Sequence, residues 1–445
     1  MHSQDLREYS SLGSRKTSAH ESLSQVYTLP PHLTLPASTI SQCRWSAYSS
    51  ELLLHSLLTT PSSSSLQQTY VTSDPSQADL FFIPLFPSCY LFDCWVKAGW
   101  NKTERCGVDE DYIQPVMAWV REQGFWDANS GADHIITHPM DFADGYYTET
   151  SRAAMNSSIY LVTVGDLRPP PFSQHYRRHR DIVIPSATHL LNSYFINPMD
   201  YLDALGHPLA TPASRTNQPI PTRVEIFEPS PTSMTGVWGA RPNLGLGTAR
   251  DTLKSGRGMT AIFRGGLGQP HEGEGYALGI RSLFFPSPPS SHSGFSSLPL
   301  YDLAESSSND EYALALSRAK YGLVPPGYTL DTTRVWEYLA FGVVPVFLGA
   351  GPTAGQVMPF ADDFDYAAFS ISIPRERAHD LPRILDEVGE EEYERLRRKV
   401  WETGRLLVLE EGRGNVWRWI VRDLCRMRGI GTNSGSDVYW EQSVI

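Results

Sequence analysis

The sequence is poor in cysteine, with five cysteines in 445 residues. Cys89, Cys94 and Cys106 lie close together, but no CxxC pair occurs. The spacing therefore does not predict a zinc site. We expect one disulfide among these three residues, or none.

The sequence also lacks a long hydrophobic run. Residues 1–25 are polar and rich in serine, and the most apolar window, 335–351, contains a glutamate and a proline and is typical of a buried core. We therefore expect neither a signal peptide nor a membrane anchor in this sequence. Two Asn-x-Ser/Thr tripeptides, at Asn101 and Asn156, are compatible with a lumenal location without establishing it.

Strongly basic stretches are absent as well. The formal net charge is −12, and there is no basic stripe or RNA-binding aromatic motif, which argues against a nucleic-acid partner. An anionic ligand is not excluded, because a local site can oppose the overall charge.

The chain does have enough length and apolar content for more than one domain. At about 150 residues per domain, its length predicts two or three. A hydrophobic content of 41%, with 11 Trp, 21 Tyr and 18 Phe, is ample for packed cores and excludes a disordered chain.

Residues 321–348, YGLVPPGYTLDTTRVWEYLAFGVVPVFL, predict a strand, a Pro-Gly loop, a helix and a second strand. Asp331 or Thr332 is the candidate N-cap, and Gly342 the candidate residue after the last helical turn. A helix that begins just after a strand in a βαβ unit directs backbone N–H groups at the carboxyl edge of the sheet, where anions bind. Arg334 lies in the first turn, where a cation is disfavoured unless negative charge is close by. A diphosphate would supply that charge; the alternative is a surface carboxylate.

Strand-like and helix-like segments alternate along the chain, which predicts an α/β fold with mainly parallel sheets. We expect a flexible lead over 1–22, a Rossmann-like domain over 23–235, a second over 258–405, and C-terminal helices and a tail over 406–445. An irregular insertion rich in Pro and Gly occupies about 197–257.

Several motifs, in order along the chain, resemble the exostosin-like glycosyltransferase family. The family signature combines a Pro-Gly loop, an Arg-x-x-Glu helix and a Gly-x-x-Pro-Val strand, which correspond here to Pro326-Gly327, Arg334 to Glu337, and Gly342 to Val346. Four further blocks are similar: the DP-x-x-A-D-L-F-F-V-P block at 74–84, the G-x-D-H element at 131–134, the D-V-V-I-P strand at 181–185, and F-x-G at 263–265. The pair Tyr321-Gly322 departs from the family's usual Phe-Cys.

The resemblance implies a GT-B fold, in which two Rossmann-like α/β domains face each other across a cleft. The first domain would hold the acceptor and the second the nucleotide sugar. It also implies an inverting, metal-independent transfer from a UDP-type sugar, with no cofactor, to a glycan or glycoprotein acceptor. Family members are Golgi enzymes, and a homo-oligomer or a hetero-oligomer with a related glycosyltransferase is an expected assembly.

The donor site is expected in the second domain. We predict that Arg264 and Arg334 contact the diphosphate, with Gly265 and Gly327 allowing the backbone to approach it closely. A salt bridge between the domains is the alternative for Arg264. Glu337 is predicted to contact the ribose hydroxyls, as a carboxylate on this helix does in GT-B folds; the alternative is an i,i+3 pair with Arg334.

The catalytic base is sought in the segment after the third predicted strand of the first domain, which resembles the family's H-D loop. His138, Asp141 and Asp144 are the candidates, because a general base needs a pKa near the ambient pH. The alternative for each is a turn-capping aspartate or a hydrogen-bonded loop histidine. No isolated Asp-x-Asp is found, and Asp362-Asp363 is interpreted as a solvated turn.

Two other functions compete with a transferase. A non-catalytic exostosin-like subunit or glycan-binding scaffold would share the motifs. A phosphate-ester hydrolase on a Rossmann-like fold would need a nucleophile motif or a metal cluster, and the sequence has neither.

Overall fold

The computed structural model describes most of the chain. The described residues are 24–44, 48–59, 71–99, 106–141, 143–168, 176–187, 257–266, 270–285, 294–307, 309–408 and 415–427. The predicted lead at 1–22 and nearly all of the predicted insertion at 197–257 lie outside these ranges.

Five parallel strands form a sheet in the first half of the chain, in the order β1-β2-β3-β4-β6. These strands are β1 Ser24–Val26, β2 Leu80–Phe82, β3 His134–His138, β4 Ile159–Val162 and β6 Ile182–Val183. A short strand outside this sheet, β5, spans Gly165–Asp166. The helices of this half are α1 Ala37–Cys43, α2 Ser50–Thr59, α3 Pro87–Lys97, α4 Gln114–Glu122 and α5 Glu149–Met155.

A second sheet of five parallel strands forms in the other half, in the order β12-β10-β9-β7-β8. Its strands are β7 Met259–Arg264, β8 Tyr301–Ala304, β9 Ala319–Val324, β10 Val344–Leu348 and β12 Ile371–Ile373, while β11 Gln356–Val357 lies apart. The helices are α6 Asn309–Arg318, α7 Arg334–Ala340, α8 Leu381–Glu387, α9 Glu390–Leu407 and α10 Asn415–Met427. This strand order is typical of doubly wound nucleotide-binding domains.

The unit predicted at 321–348 is present, with β9, α7 and β10 in that order. Gly342 follows α7 with a φ of +65°, and Val343 N–H donates to the Tyr338 carbonyl oxygen, as expected for a left-handed residue at a helix end. At the other end the Thr332 hydroxyl oxygen accepts the Arg334 N–H. Two Rossmann-like α/β domains facing each other confirm the predicted GT-B fold class.

Two elements join the halves. The strand β11 pairs antiparallel with β5, so a segment of the second half forms sheet bonds with the first. Helix α10 returns to the first sheet, where the Trp417 ring lies edge-on to the Phe82 ring at 6.2 Å. One apolar cluster therefore contains side chains of α10 and of both sheets.

The cysteines differ in part from the sequence prediction. Cys43 pairs with Cys89 and Cys94 with Cys106, and Cys425 belongs to no disulfide. The expectation of one disulfide or none among Cys89, Cys94 and Cys106 is confirmed by the Cys94–Cys106 bond. The Cys43–Cys89 bond was not predicted, because Cys43 is distant in sequence and only the packing of α1 against α3 brings it to Cys89.

None of the helices within the described ranges is both long and apolar enough to cross a membrane.

We expect Trp417→Ala to lower the free energy of unfolding by about 3–5 kcal/mol, because it removes a fully buried ring that joins α10 to the first sheet. Urea denaturation followed by far-UV circular dichroism measures this. Arg418→Ala, at a half-buried position on the same helix, is the matched control and should change stability by no more than about 0.5 kcal/mol. Equal effects of the two variants would contradict the role given to α10.

Candidate active site

Two glycine loops meet at the carboxyl edge of the second sheet. Because β7 and β9 are neighbouring parallel strands, the segments that follow them, Gly265-Gly266 and Pro326-Gly327, emerge side by side. Ligands of doubly wound sheets bind at this edge. The Phe263 ring is buried just below it.

Arg334 reaches into this region from the start of α7. Its Nε donates to the Arg264 carbonyl oxygen, and its Nη1 lies 3.1 Å from Thr332 Oγ1. The guanidinium carbon is 5.0 Å from the centre of the Phe263 ring. Gly265 has a φ of +158°, and a Cβ at this position would overlap the guanidinium of Arg334. Glycine is therefore required for the approach of this side chain.

A second guanidinium, that of Arg281, lies near the same ring at 5.4 Å. It extends from a 3-10 segment, Pro270–Leu283, and is only 4% exposed. Its Nε donates to the Pro326 carbonyl oxygen at 3.1 Å, and its Nη1 to the Gly266 carbonyl oxygen at 2.8 Å. Thus both glycine loops are fixed to one buried cation.

The two guanidinium groups repel each other. Burial, and after it the charge of Arg334, lower the pKa of Arg281 to about 10. Within the described part of the chain, neither arginine forms an ion pair with a carboxylate. A buried cation beside a second, half-buried cation is costly when no carboxylate is close, and a bound anion would lower this cost.

Two aspartates, Asp141 and Asp331, lie close together where the two halves of the chain meet. Thr329, in the loop between β9 and α7, donates its hydroxyl to Asp141 Oδ1 at 2.9 Å. Asp141 follows β3 of the first sheet, so this hydrogen bond crosses the cleft. Two residues after Thr329, the half-buried Asp331 has its pKa raised to about 8, first by burial and then by the charge of Asp141. The Thr332 N–H and the Ser186 hydroxyl oppose this rise in pKa.

A model of the exostosin GT47 domain matches residues 19–204 and 241–388. The chain belongs to the exostosin GT47 family. Both blocks of the match contain the elements described above, and the predicted class of enzyme, an exostosin-like glycosyltransferase, is confirmed.

This exostosin GT47 chain is similar to several plant proteins. A probable glucuronosyltransferase of Oryza sativa subsp. japonica is 24% identical over 381 residues, which cover 84% of this chain and 71% of that protein. The probable beta-1,4-xylosyltransferase IRX10 of Arabidopsis thaliana is 20% identical over 354 residues, which cover 79% and 67% of the two chains. Among solved structures, Anabaena HepE in complex with UDP and glucose aligns over 91% of this chain and 99% of its own, with 8% identity and a TM-score of 0.35.

Of the predicted donor-site residues in the exostosin GT47 chain, Arg334, Gly265 and Gly327 lie together at the sheet edge. The Arg264 guanidinium is held elsewhere, by Asp302 Oδ2 at 2.8 Å, so the structure pairs Arg334 with Arg281 instead. A salt bridge was the alternative for Arg264, but it forms between neighbouring strands of one sheet and not between domains.

Glu337 is buried on α7, and one of its carboxylate oxygens accepts a hydrogen bond from the Tyr312 hydroxyl at 2.8 Å. In this arrangement its carboxylate contacts α6. The proposed contact with a ribose remains a prediction.

The three candidate bases differ in their surroundings. His138 is 1% exposed, its Nδ1 lies 3.0 Å from the Tyr147 hydroxyl, and its ring packs edge-on against Tyr160. Asp141 is half-buried and faces the second domain. Asp144 lies in the 3-10 turn Ala143–Tyr146, and its side chain is outside the described part of the chain. Of the two candidates whose side chains are described, Asp141 is the one that contacts the second half of the chain.

Sequence reasoning missed Arg281 and assigned Asp331 only a capping role. Arg281 lies in an irregular segment with no periodicity or motif, so no local pattern marks it. Asp331 becomes unusual only through Asp141, which is remote in sequence.

One group of potential metal ligands comes together among the described residues, namely Cys43, Glu51 and Cys89. Both cysteines of this group form a disulfide. Glu51 accepts the Cys89 N–H at 2.9 Å, and burial raises its pKa. The Glu51 carboxyl group thus accepts a hydrogen bond from the backbone at the start of α3.

The pKa of Asp331 makes stability depend on pH. Its unfolded carboxyl ionises near pH 4, whereas in the fold it keeps its proton up to about pH 8. Between these two pH values the folded state holds a proton on Asp331 that the unfolded state has lost. The stability that this proton gives the fold is therefore fully present below about pH 4, decreases as the pH rises, and is gone once the pH has passed 8. We expect Asp331→Asn, which has no proton to lose, to gain free energy of unfolding relative to wild type between pH 4 and 8, with no further gain above.

Urea denaturation at pH 4.5, 6.5 and 8.5 measures this difference. Asp127→Asn, at an exposed position, should differ from wild type by no more than about 0.5 kcal/mol at each pH. A difference for Asp331→Asn that does not change with pH would show that the Asp331 carboxyl is not perturbed by the cleft.

Proposed function

We propose that the protein transfers a sugar from a nucleoside-diphosphate donor, a UDP-sugar, to a hydroxyl of a glycan or glycoprotein acceptor. The observation that carries this proposal is the Arg281–Arg334 pair, which lies between two glycine loops and has no carboxylate partner among the described residues. The names of the plant relatives, which include glucuronosyl- and xylosyltransferases, support the same class of reaction.

The two arginines would stabilise the leaving group. As the bond between the anomeric carbon and the diphosphate oxygen breaks, its electron pair stays on the diphosphate, and negative charge grows there. Two guanidinium groups fixed by backbone carbonyl oxygens stabilise that charge without reorganising during the step. We propose on this basis that the transfer is metal-independent and that the nucleotide sugar acts as co-substrate without a further cofactor.

Asp141 is the proposed general base. The acceptor oxygen forms its bond to the anomeric carbon from the face opposite the diphosphate, which inverts the configuration, and its proton passes to the Asp141 carboxylate. The negative charge of Asp141 opposes ionisation of Asp331 and helps to raise the pKa of that residue. When Asp331 ionises, at about pH 8, its negative charge lies close to the Asp141 carboxylate and favours transfer of the acceptor proton to it.

The two disulfides support a location in an oxidising compartment, because such bonds persist there and are rare in the cytosol. We propose the Golgi lumen, which agrees with the family resemblance. We also propose that the protein forms an oligomer, either with a second copy of itself or with a related glycosyltransferase.

We expect Arg281→Gln and Arg334→Gln each to lower kcat/KM for the sugar nucleotide by on the order of 10²–10³-fold, because each removes one charged donor to the diphosphate. Coupled assay of UDP release measures the rate, and calorimetry with UDP measures binding. Arg383→Gln, an exposed arginine paired with Asp380 and Glu387, is the matched control and should behave as wild type.

Arg264→Gln tests the sequence prediction for that residue, because a diphosphate contact would make its loss of activity as large as that of Arg281→Gln.

UDP binding without turnover of any donor in a panel of sugar nucleotides would favour the non-catalytic subunit. No UDP binding by the folded wild-type protein would refute the donor site.

We expect Asp141→Asn to lower kcat by about 10²–10⁴-fold while UDP affinity stays within twofold, because the base acts on the acceptor and not on the diphosphate. The wild-type rate should rise with pH through about 8, because ionisation of Asp331 adds a negative charge close to the Asp141 carboxylate and favours proton transfer to it. Steady-state rates from pH 5.5 to 9.5 measure both effects. A full rate for Asp141→Asn at any pH in this range would remove Asp141 from the reaction.

A further inference from the structure

A large cavity lies beside β1 of the first sheet and extends to the segments that follow β1 and β2. Its volume is ≈ 880 Å³. It is formed by the segment after β1, including Tyr27 and Thr28, by the segment after β2, including Pro84 and Phe86, and by one side of α2. A cavity of this size is within the range of small-molecule and cofactor sites.

The described walls of this cavity carry no Lys, Arg, Asp or Glu side chain. The titratable groups that face it are one imidazole, His55, and two phenols, Tyr27 and Tyr112. Burial lowers the pKa of His55 to about 4, and burial raises the pKa of both tyrosines. These three groups are therefore uncharged at neutral pH.

The walls offer hydrogen-bonding groups instead of charge. Hydroxyl side chains line several sides of the cavity: Thr28, Thr34, Thr59, Thr72 and Ser73. Gln25 also lines it, and its Oε1 is buried without a hydrogen-bond partner among the described residues. A buried acceptor of this kind is costly unless a donor reaches it.

Aromatic rings form another part of the cavity wall. The His55 ring stands edge-on to Phe86 at 5.4 Å and is stacked near Phe82 at 6.5 Å. Tyr27, Phe86 and Tyr112 also line the cavity. Apolar ring faces among neutral hydroxyls suit a sugar, which has C–H faces and hydroxyl edges.

One end of the cavity, formed by the segments after β1 and β2, lies at the same edge of the sheet as Asp141. The strands β1, β2 and β3 are consecutive neighbours, and Asp141 follows β3. Adjacent strands are about 4.8 Å apart, so β1 and β3 are separated by about 10 Å. A chain of linked sugars can span this separation.

We propose that this cavity binds the acceptor as an uncharged oligosaccharide chain, whose reactive hydroxyl extends along the sheet edge to Asp141. The inference rests on the proposed transferase function and specifies its acceptor. A nucleotide or a uronic-acid chain is disfavoured in the cavity, because no described cation there would offset the loss of its hydration.

Two substitutions that fill the cavity test the proposal. Ser73→Trp and Thr34→Trp start from exposed residues on different segments of the cavity wall, so they add bulk to the cavity without disturbing the core. Gln77→Trp, an exposed position in the same loop as Ser73 that does not line the cavity, is the matched control. The full-length protein is titrated by calorimetry with neutral hexasaccharides of xylose, glucose and galactose, and with acidic hexagalacturonate.

We expect at least one neutral hexasaccharide to bind the wild-type protein and Gln77→Trp with the same affinity. Ser73→Trp and Thr34→Trp should weaken that binding at least tenfold, while UDP affinity stays unchanged in all variants. Binding of none of the neutral chains, or binding that survives both substitutions, overturns the proposal. Binding of hexagalacturonate that is lost in both variants also overturns it. Failure of the donor site would appear separately, as loss of UDP binding by the wild-type protein.

Discussion

Two guanidinium groups packed near one phenylalanine ring are the constraint on which the second domain depends. Arg281 and Arg334 lie 5.4 and 5.0 Å from the centre of the Phe263 ring, and backbone carbonyl oxygens of both glycine loops fix Arg281 in place. Two like charges beside one ring repel each other, and a bound anion would offset this repulsion. The fold around them accommodates this cost: Gly265 has no side chain where Arg334 passes.

Elements from the second half of the chain complete the packing of the first domain. Helix α10 places Trp417 against Phe82, and β11 adds to β5, so the halves share a core and a small sheet. Because the halves are held in this way, the loop after β9 meets the end of β3, and Thr329 donates to Asp141. Arg334 and Asp331 therefore lie on one loop and helix start of the second half, and Asp141 of the first half lies opposite that loop.

Charge is distributed unevenly over the molecule, and the distribution follows the two proposed ligands. The diphosphate region holds two cations without a carboxylate partner among the described residues, whereas the walls of the first-domain cavity hold neutral groups only. The overall charge of −12 predicts neither the two cations of the second domain nor the neutral walls of the cavity. Separate environments of this kind allow one enzyme to hold an anionic donor and an uncharged acceptor without either occupying the site of the other.

The sequence by itself determined the family, the parallel α/β fold class and the β9–α7–β10 unit, because hydrophobic period, Pro-Gly breaks and a terminal glycine are local signals. It also placed Arg334, Gly265, Gly327 and Asp141 near the cleft, since residues that follow parallel strands meet at one edge. Only the tertiary structure decided which cation partners Arg334. Arg281 lies in an irregular segment, and Asp302 holds the Arg264 side chain. The Cys43–Cys89 bond and the pKa of Asp331 were decided in the same way, because each depends on a contact between residues that are remote in sequence.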